Sequence, residues 1–335
     1  MNYDAVLVVS FGGPEKPEDV MPFLENVTRG RNVPRERLEE VAQHYYHFGG
    51  RSPINDQTRA LIAALRDELA RHNLHLPVYW GNRNWHPMLA DTVRQMKEDG
   101  VQRAVAFVSS AFSSYSGCRQ YKENIAQAQA QVGQGAPRID KIRVFYNHPG
   151  FVHAVSDHSR QAITALPEEL REEAQLVFTA HSIPLAMAKT CRYESQLLEA
   201  CAAVATQLNR SRWRLVYQSR SGPPSQPWLG PDILDALREM HRQQVKAVVV
   251  VPIGFVSDHM EVLYDLDTEA RALCDELGLV MTRAASVGTH PSFVAMVREL
   301  IEERIRGEGV LPGLCHAECC PPPAAPGIRP AQVYS

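Results

Sequence analysis

The segment SDHMEVLYDLDTE (257–269) sets three carboxylates, Glu261, Asp265 and Glu269, four residues apart. On an α-helix this spacing makes one acidic stripe that drifts by about 40° per step. A wide turn inside the helix would bring the three into better line. Like charges at this spacing repel by roughly a few tenths of a kcal/mol each. The stripe is therefore either a solvated face capped by Asp258 or a path for a hard cation. Its position favours the path, because it follows directly on the apolar run KAVVVVPIGF (246–255), which reads as a buried strand. Asp258 and His259 stand just before it. A second strand-like run, LVFTAHS (176–182), delivers His181 at its C-terminal end. Such a His is either a hydrogen-bonded structural residue or a group that binds a divalent transition metal or accepts a proton near neutral pH. Facing Glu261 across a cleft, His181 would supply an imidazole beside a carboxylate.

Two further groups have chemistry to offer. Phe11, Trp80, Trp85, Tyr115, Tyr121 and PWLGP (227–231) fall near strand ends, as filler or as walls for a flat aromatic ligand. Arg29 and Arg31 in VTRGR, with Arg51 and Ser52 in HFGGRSPIN, are either solvated loop residues or carboxylate binders. The seven cysteines are 118, 191, 201, 274, 315, 319 and 320. An odd count without a secretory signal argues against a disulfide framework. Cys315, Cys319 and Cys320 crowd together and suggest soft-metal ligands, whereas Cys191, Cys201 and Cys274 read as packing residues.

Positioning these groups requires a regular scaffold, and the hydrophobic pattern supplies one. Apolar strand-like runs at 5–11, 78–80, 103–112, 141–147, 174–182, 213–220, 246–255 and 280–286 alternate with amphipathic stretches. The helical stretches are 56–73, 86–100, 119–132, 148–166, 193–209, 231–244, 259–278 and 290–307. Strands apolar on both faces and separated by helices imply parallel sheets covered on both sides. The expected fold is α/β, with two similar doubly wound, Rossmann-like units of about four strands each. The expected division is residues 1–150, 151–310 with the last helix returning to the first unit, and a Cys/Pro-rich tail at 311–335. Ligands in such folds sit beyond the carboxyl ends of the strands, where the unusual residues collect.

Composition excludes several classes. Thirty-five basic residues against 38 acidic ones, a net of −3, advertise no nucleic-acid partner. No apolar run approaches the roughly 20 residues of a membrane span. The chain starts directly in a strand-like run, so no secretory signal is expected and the expected location is cytoplasmic. GGPEKPED lacks GxGxxG spacing, and neither a GxxxxGK[ST] loop nor a GxSxG elbow is present.

Taken together and in order, SFGGPE, ENVTRGR, HFGGRSPIN, Ala180-His181-Ser182, Gln218–Pro231 with PWLGP, and Pro252–Asp267 resemble the ferrochelatase family over about residues 3–320. The wording SFGGPE and NVTRGR is similar to the actinobacterial branch, which acts on coproporphyrin III. The resemblance implies that His181 and Glu261 form the iron-site pair. Asp258 and His259 would support the pair, while Asp265 and Glu269 would extend the acidic path. Porphyrin contacts would come from Phe11, Arg29, Tyr45, Ser52, Tyr121 and Trp228. Phe11 stands where related enzymes carry Tyr or Met, and Phe cannot ligate iron. Thr28 and His44 stand where the bacillar branch has Arg, leaving Arg29 as the cation for propionates. The resemblance also implies a 2Fe–2S cluster on Cys118, Cys315, Cys319 and Cys320, with zinc as the competing occupant.

The implied activity is insertion of Fe²⁺ into coproporphyrin III by a monomer. Protoporphyrin IX is the alternative substrate. No extended apolar lip marks a membrane-docked mouth, which favours the tetracarboxylate. Two other readings remain: a non-catalytic tetrapyrrole- or metal-binding protein, and a cobalt or nickel chelatase on the same fold.

Overall fold

The structure is a computed structural model that describes residues 2–30, 33–222, 225–307 and 319–322. The described residues form eight strands, and all but the fourth follow the apolar runs. β1 (Ala5–Ser10), β2 (Val78–Asn82), β3 (Arg103–Val108) and β4 (Arg138–Lys141) form one sheet in the order β2-β1-β3-β4. β5 (Gln175–His181), β6 (Trp213–Gln218), β7 (Ala247–Val251) and β8 (Val280–Arg283) form a second in the order β6-β5-β7-β8. Every pairing is parallel, and the strand order is the same in both sheets. All six residues of β1 and all five of β7 are buried, which is why these runs carry no polar alternation.

Helices connect the strands. In the first half they are α1 (Val20–Val27), α2 (Arg35–His47), α3 (Ile54–Arg71), α4 (Leu89–Glu98) and α5 (Gln120–Val132). The second half carries α6 (Pro149–Thr164), α7 (Glu168–Arg171), α8 (Leu185–Ala188), α9 (Tyr193–Gln207) and α10 (Ile233–Arg242). α11 (Met260–Val262) and α12 (Arg271–Leu277) flank a π-helix at Leu263–Ala270, and α13 (Pro291–Arg306) closes the fold. A second π-helix, Tyr115–Arg119, precedes α5. None of the described helices is long and apolar enough to cross a membrane.

One core cluster runs through both sheets. It joins Val6, Val8 and Phe107 of the first to Leu176, Phe178 and Val249 of the second. Phe107, Phe145, Phe151 and Phe293 meet between the sheets, with ring centroids 5.5–6.5 Å apart. Each such buried side chain contributes roughly 1.5–3 kcal/mol of hydrophobic stabilisation, so the two halves share much of their stability here. α13 packs against both α3 and α6. Arg298 of α13, largely shielded, is ion-paired with the buried Glu68 of α3 at 3.0 Å.

The elements depart from the expected ones at 141–147 and at the unanticipated helices α1, α2, α7 and α8. The apolar run 141–147 is not a strand: β4 ends at Lys141 and the chain leaves the sheet. Phe145 and Tyr146 then donate their N–H groups to the Ala111 carbonyl, and their rings fill the core between the sheets. Hydrophobicity there reflects packing rather than pairing. Conversely, α2 covers a stretch whose periodicity is weak, since it buries only Leu38 and Ala42.

Candidate active site

The carboxyl end of β5 carries His181, and its surroundings are held by three neighbouring segments. Ser182 N donates to the Gln218 carbonyl at 2.8 Å, and the Ser182 hydroxyl donates to the Leu229 carbonyl at 2.8 Å. Leu229 N reaches back to the Ile183 carbonyl at 3.0 Å, and Leu185 N to that of Pro227. The PWLGP segment is thereby zipped along the chain that follows His181. Tyr193 of α9 donates its hydroxyl to the His181 carbonyl at 3.0 Å. On the other side, Gly254 lies so close to β5 that a Cβ would meet the Ala180 Cα and Cβ at 2.7 Å. Only a residue without a side chain fits between the β7 loop and the strand.

The imidazole orientation is fixed by chemistry. The Ser182 carbonyl, 2.5 Å from His181 Nδ1, can only accept, so Nδ1 carries a hydrogen. Nε2 then points to Glu261 Oε1 at 3.5 Å. The side chains remain 33% and 45% exposed, so the pair is deep in the fold yet open to the cleft. Burial works against the charged forms of both groups. Their mutual charge and hydrogen bond overcome it, raising His181 above the ordinary imidazole range and lowering Glu261 below the ordinary carboxylate range. The pair is therefore ionic, a proton on His181 facing a carboxylate. His259 stands on the other side of Glu261, Nδ1 to Oε2 at 4.0 Å. It also caps the helix start by accepting the Glu261 N–H at 3.2 Å.

The π-helix at Leu263–Ala270 is the wide turn that the four-residue carboxylate spacing asks for. Asp265 within it accepts from Gln218 Nε2 at 3.3 Å and from the Ser219 hydroxyl. Gln218 Nε2 also donates to the Glu261 carbonyl at 3.0 Å. Burial lifts the Asp265 carboxyl to about 7, the hydrogen bond from Ser219 opposes it, and the charges of Glu261 and Glu269 add to it. Burial likewise raises Glu269, with Asp232 adding its charge. Asp258 is turned away: its carboxylate faces Arg283 at 3.3 Å.

Across the cleft stand aromatic groups from the first half. Phe23 is at the centre of an edge-to-face cluster with Phe11 (6.3 Å), Tyr45 (5.8 Å) and Trp85 (6.1 Å). Tyr45 is close enough to Glu261 for that charge to add to the effect of burial, which raises its phenol. Arg83 lies over both the Phe11 and Tyr121 rings, at 5.8 and 5.7 Å. Ser52 is buried and packs against Gly13, where a Cβ would meet its Oγ at 3.0 Å. Trp228 is half-buried, and its Nε1 is buried with no hydrogen-bond partner among the described residues. Arg29 is exposed at the end of α1. His44 of α2 stacks on Tyr264 of the π-helix, with centroids 3.7 Å apart and planes 7° from parallel. Beside that stack is a cavity of about 450 Å³ lined by Gln43, His44, Tyr46, His47 and Tyr264.

The cysteines assemble in part. Cys118 is buried in the π-helix at Tyr115–Arg119, and Cys320 is also buried. Burial pushes the Cys320 thiol up to about 12, with Cys319, Cys118 and Cys191 close enough to add to it. Cys315 lies outside the described residues, as does Arg31. Among the described residues no group of three or more His, Cys, Asp or Glu side chains is arranged to hold a metal ion.

Sequence reasoning missed Arg283, Gln57 and Tyr193. Arg283 ends β8 at the ligand-binding edge, but its partners Asp258 and Asp267 lie 25 and 16 residues away, and local spacing does not reveal them. Gln57 and Tyr193 sit on helices, and nothing local distinguishes them.

The sequence profile described as Ferrochelatase matches residues 3–305. A ferrochelatase of Rhodopirellula baltica is 55% identical, covering 99% of this chain and 98% of the relative. A coproporphyrin III ferrochelatase of Streptomyces coelicolor is 51% identical, covering 98% and 95%. Among solved structures, the sirohydrochlorin chelatase SirB from Bacillus subtilis in complex with cobalt shares the fold. Its TM-score is 0.52 at 13% identity, covering 92% of this chain and 99% of that one.

Proposed function

The chain belongs to the ferrochelatase family, and we propose that it inserts Fe²⁺ into coproporphyrin III in haem biosynthesis, releasing two protons. The observation that carries this reading is the ionic pair His181–Glu261, 3.5 Å apart at the head of a carboxylate stripe and facing an aromatic wall. Metal insertion needs groups that replace the water on Fe²⁺, acceptors for two pyrrole protons, and a surface that holds the macrocycle bent. In this reading His181 Nε2 and Glu261 supply the first need. The proton on Nε2 would pass to water in the cleft as the metal arrives, while Nδ1 stays anchored to Ser182. Once the metal has gone to the porphyrin, Nε2 would take one pyrrole proton and Asp265, lifted to about 7, the other, passing it toward Glu269. His259 holds Glu261 in place. Phe11, Tyr45, Tyr121 and Trp228 line the porphyrin side, with Ser52 behind them and Arg29 at the rim for a propionate.

We also propose that Cys118, Cys315, Cys319 and Cys320 hold a 2Fe–2S cluster, with zinc as the competing occupant. The support is the donor set among the described residues: Cys118 and Cys320, both buried, and Cys319, with Cys118 and Cys319 within electrostatic reach of Cys320. Four thiolates would hold the cluster, and it would supply one-electron redox chemistry and a staple for the chain's end. We place the protein in the cytoplasm, working as a monomer.

Anaerobic incubation with Fe²⁺ and each porphyrin, followed at the Soret band, tests the reaction. Coproporphyrin III should be metallated fastest. Faster turnover of protoporphyrin IX would replace the substrate, and no change with either would leave a binding protein.

A further inference from the structure

Arg283 is the last residue of β8, and its side chain is only 13% exposed. Its guanidinium is shared by two carboxylates that bracket Glu261. Nε donates to Asp267 Oδ1 at 2.7 Å and Nη2 to Asp267 Oδ2 at 2.8 Å, a planar fork. Nη2 also reaches Asp258 Oδ2 at 3.3 Å, and Nη1 reaches Asp258 Oδ1 at 3.4 Å. Nη1 donates in addition to the Ala284 carbonyl at 3.2 Å, which ties the head group to its own strand end. Asp258 belongs to the loop that leads into the helix, and Asp267 to the middle of the π-helix. One cation thus spans the segment that carries His259, Glu261 and Asp265.

We propose that Arg283 is a positioning residue for metal insertion, locking the loop at Asp258 and the π-helix at Asp267 in the register that aims Glu261 at His181. This rests on the ferrochelatase reading above. The fork does two things. It keeps Asp258 and Asp267 turned out of the cleft, so that the cation meets only the Glu261, Asp265, Glu269 stripe. It also opposes closure of the wide turn into an ordinary α-helical one. A planar guanidinium suits this task, because an ammonium cannot pair with one carboxylate through two parallel hydrogen bonds while contacting another.

The test uses Arg283→Lys and Asp267→Asn in the full-length protein, assayed anaerobically with Fe²⁺ and coproporphyrin III. Each should raise the KM for Fe²⁺ by about tenfold while leaving the KM for the porphyrin within about twofold. The double variant should be no worse than Arg283→Lys alone, because both substitutions break one device. A fall in thermal stability with both KM values unchanged would make Arg283 merely structural and overturn the proposal. Equal loss for metal and porphyrin would overturn it too. If Arg283→Lys does not fold, Asp267→Asn is read by the same criteria. Wild-type protein inactive with both porphyrins sinks the function on which the inference rests. An active wild type with unchanged variants sinks the inference alone.

Discussion

Gln57, on α3 in the first half of the chain, accepts the backbone N–H of Asp258, 201 residues later, at 2.8 Å. The amide thus holds the entrance to the acidic helix from the opposite wall of the cleft. A single hydrogen bond of this kind contributes about 1 kcal/mol to stability, but it sets where the loop begins. Gln57→Ala should lower the unfolding free energy by about that amount and slow iron insertion several-fold. Denaturant unfolding and the anaerobic assay measured together check this. Unchanged turnover would reduce Gln57 to a surface contact.

His181→Ala removes one partner of the ionic pair while leaving the aromatic wall untouched. Iron insertion should fall by at least about 100-fold. Porphyrin affinity, read by quenching of protein fluorescence, should stay within about threefold. Near-normal turnover would remove His181 from the centre.

Burial holds the Asp265 carboxyl up at about 7 in the folded protein, whereas the unfolded carboxyl loses its proton near 3.8. The stability this contributes is complete below about pH 4 and is lost as pH rises through about 7. Asp265→Asn, which cannot ionise, should therefore exceed wild type at pH 8 by about 2 kcal/mol, after discounting for water in the cleft. The gap should close by about pH 4. Melting curves across this range decide it, and a gap independent of pH would contradict the burial argument.

Gly254→Ala pushes a methyl group onto the Ala180 backbone, one residue before His181. Overpacking at such a contact costs about 1–3 kcal/mol. Because the strain falls on the strand end that carries the imidazole, insertion should slow by more than the stability loss alone predicts. Equal turnover per folded molecule would show that the strand end absorbs the strain without moving His181.

Cys118→Ser should abolish a visible iron–sulfur absorption in anaerobically purified protein and lower its melting temperature. Zinc in the purified protein, found by elemental analysis and lost in the variant, would identify the competing occupant instead.

Much of the architecture was legible because the strands are apolar on both faces and sit between amphipathic helices, a pattern few folds share. The run 141–147 misled because aromatic residues that fill a core look like residues that pair in a sheet. α2 escaped because it buries only two side chains, so its periodicity is faint. The π-helix was foreseeable, since carboxylates four apart align only on a turn wider than an α-helical one. Arg283 and Gln57 were not, because their meaning lies in partners 16, 25 and 201 residues away. Long-range pairing leaves no trace in local spacing.

The π-helix at Leu263–Ala270 also carries an evolutionary liability. Each of its turns holds one residue more than an α-turn, so loss of a single residue there would let the helix relax into the commoner and better-bonded form. Every side chain beyond the deletion would then swing about 100° around the axis. The shortened protein would gain a more regular helix and scatter its carboxylates. At this segment selection must therefore guard the length of the chain as closely as the identity of its residues.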